Sequence, residues 1–469
     1  MFSALDHRPL TLGCLYALAF GLFLGLAILK FGNPVILDNE ITEPNSLSEI
    51  WTDFWPTHWA NWFLFLLAAA GVILALSKRI PRPQSKWLWL PPLFWFSWQL
   101  ASATATVDSG LTATTLCQFA GCIACYFLGA FFFGSRRALN LLLTGILAAF
   151  TLCLIRAIDQ RLFEFRQTRQ LLVESERQHW TNLPPGMVLE MKRDGSILTT
   201  NGVDVVNPEL LKRLSEGRVS GTLVYSNALA GVILLLFPVT LVFILNSTGK
   251  MKPPIRFAAM ALALFLGSAG FFWTGSKFGW LIAIGLGGLC LLRLRWPLKL
   301  KIAAVAIVAV LGLGIFAVRF DHYFAKGATS VVARFDYWRA AVQTTLANPL
   351  LGTGPGTFQR PYAEIKSPDA EMTRLTHNDY LEQFSDSGIP GGLFYAAWIF
   401  SALAIAGKKI WRAGNPILFA LFLGLLGWFI QGFGEFGLYI PASAWTAFTL
   451  LGCLLALSGN PMDKPAAAN

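Results

Sequence analysis

Apolar runs of roughly twenty residues recur along this chain, separated by short polar connections. Read by the length a helix needs to cross a bilayer core, they predict about twelve spans. These lie near residues 10–29, 59–76, 87–105, 112–133, 138–158, 222–245, 257–274, 278–292, 302–318, 389–407, 416–434 and 441–458. The first run is too long for a signal peptide and lacks a small-x-small exit, so it reads as a retained span. The expected fold class is an all-α polytopic membrane protein.

The connections set the orientation. Residues 77–86 carry Lys78, Arg79, Arg82 and Lys86, and 135–140 carry Arg136 and Arg137. Residues 246–256 carry Lys250, Lys252 and Arg256, and 293–301 carry Arg293, Arg295, Lys299 and Lys301. Residues 407–415 carry Lys408, Lys409 and Arg412. None of these connections holds an acid, and all fall on one side if both termini are cytoplasmic. The first connection on the other side, 31–58, holds Asp38, Glu40, Glu43, Glu49 and Asp53.

Two long connections fall outside the cytoplasm. Residues 159–221 open with an amphipathic helix over 159–180, carrying Leu162, Phe163, Leu171 and Leu172. Residues 187–190 and 196–199 flank Lys-Arg-Asp-Gly and predict a small β-hairpin. Asn207-Pro208 starts a short helix that Gly217 ends. The second connection, 319–388, carries a helix over 330–347, which stops before Pro349, and a glycine-rich turn over 352–356. Its aromatic residues, among them Phe320, Tyr323, Tyr337 and Trp338, argue against disorder. Both segments are expected to pack together over the outer mouth of the bundle. The organisation is thus spans over 1–158, an outer segment over 159–221, spans over 222–318, a second outer segment over 319–388, and spans with a cytoplasmic tail over 389–469.

Composition excludes other classes. Hydrophobic residues make up 55% of the 469 and only 13% are charged, with a mean hydropathy of +0.55. The formal charge of +11 sits in the connections and forms no stripe with exposed aromatics, so nucleic acid is not an expected partner. Residues 352–356 resemble a phosphate loop only in glycine content, since no Lys-Ser/Thr follows. Cys122 and Cys125 lie within a span and read as small buried hydrophobes. The five histidines form no paired ligand motif, so no metal site and no cofactor is expected.

The candidate chemistry centres on THNDYLEQFSDSGIPGG at 376–392, a polar island between apolar blocks. Thr376 reads as an N-cap, Gly388 as the C′ residue and Pro390 as the stop, which puts His377 in a first helical turn. The positive end of the helix dipole there disfavours imidazolium, leaving a neutral base able to take a hydroxyl proton. The plain alternative is a polar residue that merely starts a helix. Three cations lie near the same face: Arg218 at the start of the sixth span, Lys277 in the turn after the seventh, and Arg334 in an outer helix. Ionisable residues at membrane depth default to function, and such cations suit a lipid-linked diphosphate. Glu435 on the same side is expected to pair with one of them or to orient an acceptor, the pairing being favoured.

Four segments carry a family resemblance: RVSGTLVYSNALAG at 218–231, TGSKFGW at 274–280, RFDYWRAAVQTTLANPLLGTGPGTF at 334–358, and 376–392. Through them the chain resembles the O-antigen ligase and polymerase superfamily of bacterial membrane glycosyltransferases. The resemblance implies a GT-C-like bundle in the inner membrane. It also implies glycan transfer at the periplasmic face, from an undecaprenyl diphosphate carrier to a glycan or lipid A core-type acceptor, without a metal or nucleotide sugar. His377 then resembles the catalytic histidine and Arg218 the diphosphate-binding arginine. Lys277 stands where the family usually has arginine, and loses the bidentate fork. Asn378, Tyr380 and Glu382 are expected to orient the histidine or sugar hydroxyls. A polymerase of lipid-linked repeat units and a transporter of lipid-linked glycan are the alternatives. Transporters place polar sites near the midplane, often on repeated halves, and this chain shows no such repeat.

Overall fold

The computed structural model of the chain describes residues 11–77, 89–200, 202–249, 251–325, 329–368 and 370–459. Lys78, Arg79, Arg82 and Lys86 of the first basic connection, Lys250, and the expected cytoplasmic tail lie outside the described residues. The chain opens with α1 (Leu12–Lys30), a short α2 (Leu47–Thr52), α3 (Thr57–Ser77), α4 (Leu90–Ser102), α5 (Ser109–Phe132) and α6 (Arg136–Asp159). Helix α6 continues through a π turn, Gln160–Glu164, into α7 (Phe165–Arg177). Then come α8 (Pro185–Arg193), β1 (Ile197–Thr200), β2 (Val203–Val206) and α9 (Pro208–Glu216). The second membrane block is α10 (Ser226–Ser247), α11 (Pro253–Thr274), α12 (Lys277–Arg293) and α13 (Leu298–Ala325). Helices α14 (Thr329–Ala347) and α15 (Gln359–Ile365) precede α16 (Asp379–Ala413), α17 (Pro416–Gln431) and α18 (Pro441–Gly459).

Each expected span coincides with one of these helices. Among the described residues nine helices are long and apolar enough to cross a membrane. The remaining expected spans fall on α4, α12 and α17, of 13, 17 and 16 residues. The chain is a multi-pass, all-α membrane protein with a single small hairpin among the described residues.

Lipid tails are as apolar as leucine, so close packing has to hold such helices together. Gly21 and Gly145 let α1 and α6 touch backbone to backbone, and Gly129 and Gly452 do the same for α5 and α18. Trp95, Trp398 and Trp445 fill the centre and are fully buried. Helix α13 is the exception: none of its apolar window is buried, which suits a lipid-facing helix.

Several local expectations need correction. Residues 187–190 are helical, within α8, because Pro185 at its first turn and good helix formers after it favour that state. The hairpin lies one step later, pairing Ile197 with Val206 and Thr200 with Val203. Helix α13 runs to Ala325, so Phe320 and Tyr323 belong to it and not to the connection that follows. The two long connections build separate cores, one from Leu172, Trp180, Ile197 and Val206, the other from Tyr337, Ala340, Ala341, Phe358 and Tyr362. Helix α9 starts and stops as expected, with Asn207 Oδ1 accepting from the Glu209 N–H at 2.9 Å and Gly217 left-handed at φ 61°.

The glycine-rich turn at 352–356 clamps the break in α16. Gly388 sits at φ 69°, ψ −177°, where the two halves of α16 meet. The Ile389 N–H donates to Pro349 O at 2.8 Å, the Gly354 N–H to Asp386 O at 2.9 Å, and the Gly356 N–H to Asp386 Oδ2 at 2.6 Å. Gly388 is therefore the boundary the sequence suggested, and α16 restarts at once beyond it.

Candidate functional site

The N-terminal end of α16 positions His377, though not inside the helix. Asn378 is the N-cap, its Oδ1 accepting from the Tyr380 and Leu381 N–H groups at 3.1 and 3.0 Å. Thr376 makes a side-chain turn instead, its hydroxyl donating to Asn378 O at 2.8 Å. His377 thus precedes the cap and takes φ 53°, a left-handed conformation that costs a non-glycine residue about 1 kcal/mol. The expectation of a first-turn histidine fails because asparagine, with its short carbonyl, outcompetes threonine for the cap. Its dipole argument fails with it, since the cap already occupies the N–H groups concerned.

A carboxylate takes the dipole's place. His377 Nδ1 stands 3.6 Å from Glu435 Oε2, too long for a hydrogen bond. The imidazole lies between Phe436 and Tyr337, with ring centroids 4.8 and 6.0 Å away. Glu435 comes from the turn between α17 and α18 and is 5% exposed. It accepts from Arg334 Nη2 at 2.7 Å, Asn227 Nδ2 at 2.7 Å and the Tyr225 hydroxyl at 3.0 Å. Burial acts to raise its carboxyl, yet the adjacent His377 and the charge of Arg334 hold it below the usual carboxylate range.

Asn227 extends the cluster. Its Oδ1 accepts from Arg218 Nη2 at 2.8 Å, while Arg218 Nε donates to Thr274 O at 2.8 Å. Burial lowers the Arg218 guanidinium and the nearby Glu435 charge raises it. Lys277 is the first residue of α12, after Ser276 as N-cap, and its ammonium lies 3.9 Å from the Tyr323 ring centroid. The charges of both Arg218 and Arg334 reach Lys277. Three cations thus share one region, where Glu435 pairs with Arg334 and its charge reaches Arg218, while the charge of Glu216 reaches both Arg218 and Lys277, an arrangement suited to a polyanion.

Arg218, Arg334, His377 and Glu435 form one linked cluster, with Lys277 at its edge. The three expected orienting residues touch His377 only through the backbone or not at all. The Tyr380 hydroxyl donates to Phe429 O at 3.1 Å inside the bundle. Asn378 is spent on the cap. Glu382 Oε2 accepts from the Thr376 N–H at 2.6 Å, which fixes the backbone one residue before His377. Asp379 matches it on the other side, accepting from the Leu438 N–H at 3.2 Å and so holding the turn that carries Glu435. Tyr225 and Asn227 escaped the sequence reading although they lie in a quoted motif. Their signal was a polar pair at the head of an otherwise apolar helix.

An apolar cleft of about 1280 Å³ runs between α10, α11, α12 and α17. Phe237, Phe271, Leu286 and Leu423 line it, with Arg293 and Arg295 also in its wall. Trp273, next to the Thr274 carbonyl that holds Arg218, lines it too.

Residues 262–396 match the family model described as O-antigen ligase, a range that contains Lys277, Arg334 and His377 and excludes Arg218 and Glu435. No curated protein matches the chain. Over those residues the chain is similar to the O-antigen ligase family.

Proposed function

We propose that this protein is an inner-membrane glycosyltransferase. It moves a glycan from undecaprenyl diphosphate to an acceptor hydroxyl at the periplasmic face, with both termini cytoplasmic. The observation that carries this reading is the continuous chain His377, Glu435, Asn227, Arg218, which joins a base to a cation set beside an apolar cleft.

The cleft takes the polyprenyl tail and brings the diphosphate to Arg218. Two of the Arg218 nitrogens are already bonded, so its remaining N–H groups and the Lys277 ammonium meet the phosphates. Arg334 is neutralised by Glu435 and acts mainly by fixing that carboxylate. The acceptor oxygen attacks the anomeric carbon while His377 takes its proton. The bond from that carbon to the diphosphate oxygen breaks, and the cations stabilise the charge that grows on the leaving group. Glu435 stabilises the imidazolium that forms, as a carboxylate does beside a catalytic histidine elsewhere. Attack from the face opposite the diphosphate inverts the anomeric centre.

The test is transfer in liposomes holding the purified protein, an undecaprenyl-diphosphate glycan and an acceptor, with no ATP or nucleotide sugar. Labelled product is expected, a single transfer marking a ligase and a ladder marking a polymerase. Movement of intact lipid-linked glycan across the bilayer without transfer contradicts the reading.

A further inference from the structure

A second groove lies beside this site, and the mechanism above does not use it. It has a volume of about 1150 Å³ and is walled by the π turn, α7 and α9. Arg161, Arg166, Arg169 and Arg177 line it together with Phe165. They stand five, three and eight residues apart along the continuous α6–α7 helix, and all four turn side chains into the groove. The acids nearby are largely engaged elsewhere. Glu164 and Asp159 pair with Arg156 at 2.8 and 2.7 Å, and Glu176 accepts from the Val206 N–H at 3.2 Å. Glu174 is the one carboxylate in the lining, and it accepts from Gln178. Among the described residues none of the four arginines is in an ion pair.

The groove connects to the reaction centre. The Arg161 guanidinium packs against Gly217, the residue before Arg218. Trp273 lines both the groove and the apolar cleft, and its carbonyl accepts from the Val219 N–H at 3.1 Å. The donor's tail and diphosphate fill the cleft and its cationic end, so a second substrate needs a second space. The groove provides one, with guanidinium forks for acidic groups and aromatic faces for the sugar rings between them.

We propose that this groove is the acceptor subsite and that the acceptor is an acidic saccharide, bearing phosphate or carboxylate groups. The inference rests on the glycosyltransferase reading, but its test does not depend on transfer. The full chain in phosphatidylcholine nanodiscs is titrated with tetragalacturonate and with maltotetraose as a neutral match. Wild type should bind the acidic probe at least tenfold more tightly, with affinity falling as salt rises. Arg166→Ala with Arg169→Ala should weaken that binding at least tenfold at unchanged thermal stability, and lysine at both positions should restore part of it. Equal affinity for the two probes overturns the proposal, as does an unaffected alanine variant. Displacement of the probe by phosphatidylglycerol nanodiscs also overturns it, by assigning the arginines to lipid headgroups. Failure here leaves the liposome transfer result standing, and failed transfer leaves this binding result standing.

Discussion

Glu435 ties together more of this site than any other side chain, and its loss should be felt in two ways. Arg334→Ala strands a buried carboxylate and should cost about 3 kcal/mol. Adding Glu435→Gln should recover part of that loss, so thermal unfolding in detergent of the double variant should exceed that of Arg334→Ala alone. Equal midpoints would show that the pair carries no coupling. The acid side follows from the depressed Glu435 carboxyl. A folded value below the unfolded one, about 4.3, gives stabilisation that is present above that pH and lost as pH falls through the folded value. Wild-type stability should therefore fall more steeply on the acid side, below about pH 4, than that of Glu435→Gln.

At the scale of elements, the site depends on how α16 begins and breaks. Gly388 has positive φ, and a Cβ there would run into the Leu350 carbonyl. Gly388→Ala should destabilise by about 2 kcal/mol or more and loosen the turn at 352–356. A thermal midpoint equal to wild type would contradict the clamp. Glu382→Ala leaves the Thr376 N–H unsatisfied, at about 1–3 kcal/mol, and should lower kcat more than it raises KM by misplacing His377. An unchanged kcat would make Glu382 irrelevant to the base. The apolar runs exposed every spanning helix among the described residues because length and hydropathy are strong local signals. They also marked Gly388 and Gly217 as boundaries. The true N-cap was legible in principle, since asparagine is a strong cap, but Thr376 two residues earlier offered a competing start. The first strand was misread because 187–190 is a short apolar stretch with no clear period. Convergence of Arg218, Arg334 and Glu435 needed the fold, since hydrogen bonds spanning 101 and 208 residues of sequence leave no local trace.

At the scale of the whole molecule, the account requires the site to face outward and both substrates to meet there. A cysteine at Asp194 should react with an impermeant maleimide in intact cells, and one at Met251 only after permeabilisation. The reverse labelling would invert the topology. Within that frame the central claim is a division of labour, with Arg218 holding the donor diphosphate and His377 taking the acceptor proton. The most direct measurement combines donor binding with single-turnover transfer, for wild type, His377→Ala and Arg218→Ala at matched folding. The account predicts that His377→Ala binds the donor as wild type does, yet transfers at least about a hundredfold more slowly. Arg218→Ala should lose both binding and transfer. Wild-type transfer rates from His377→Ala would contradict the claim outright.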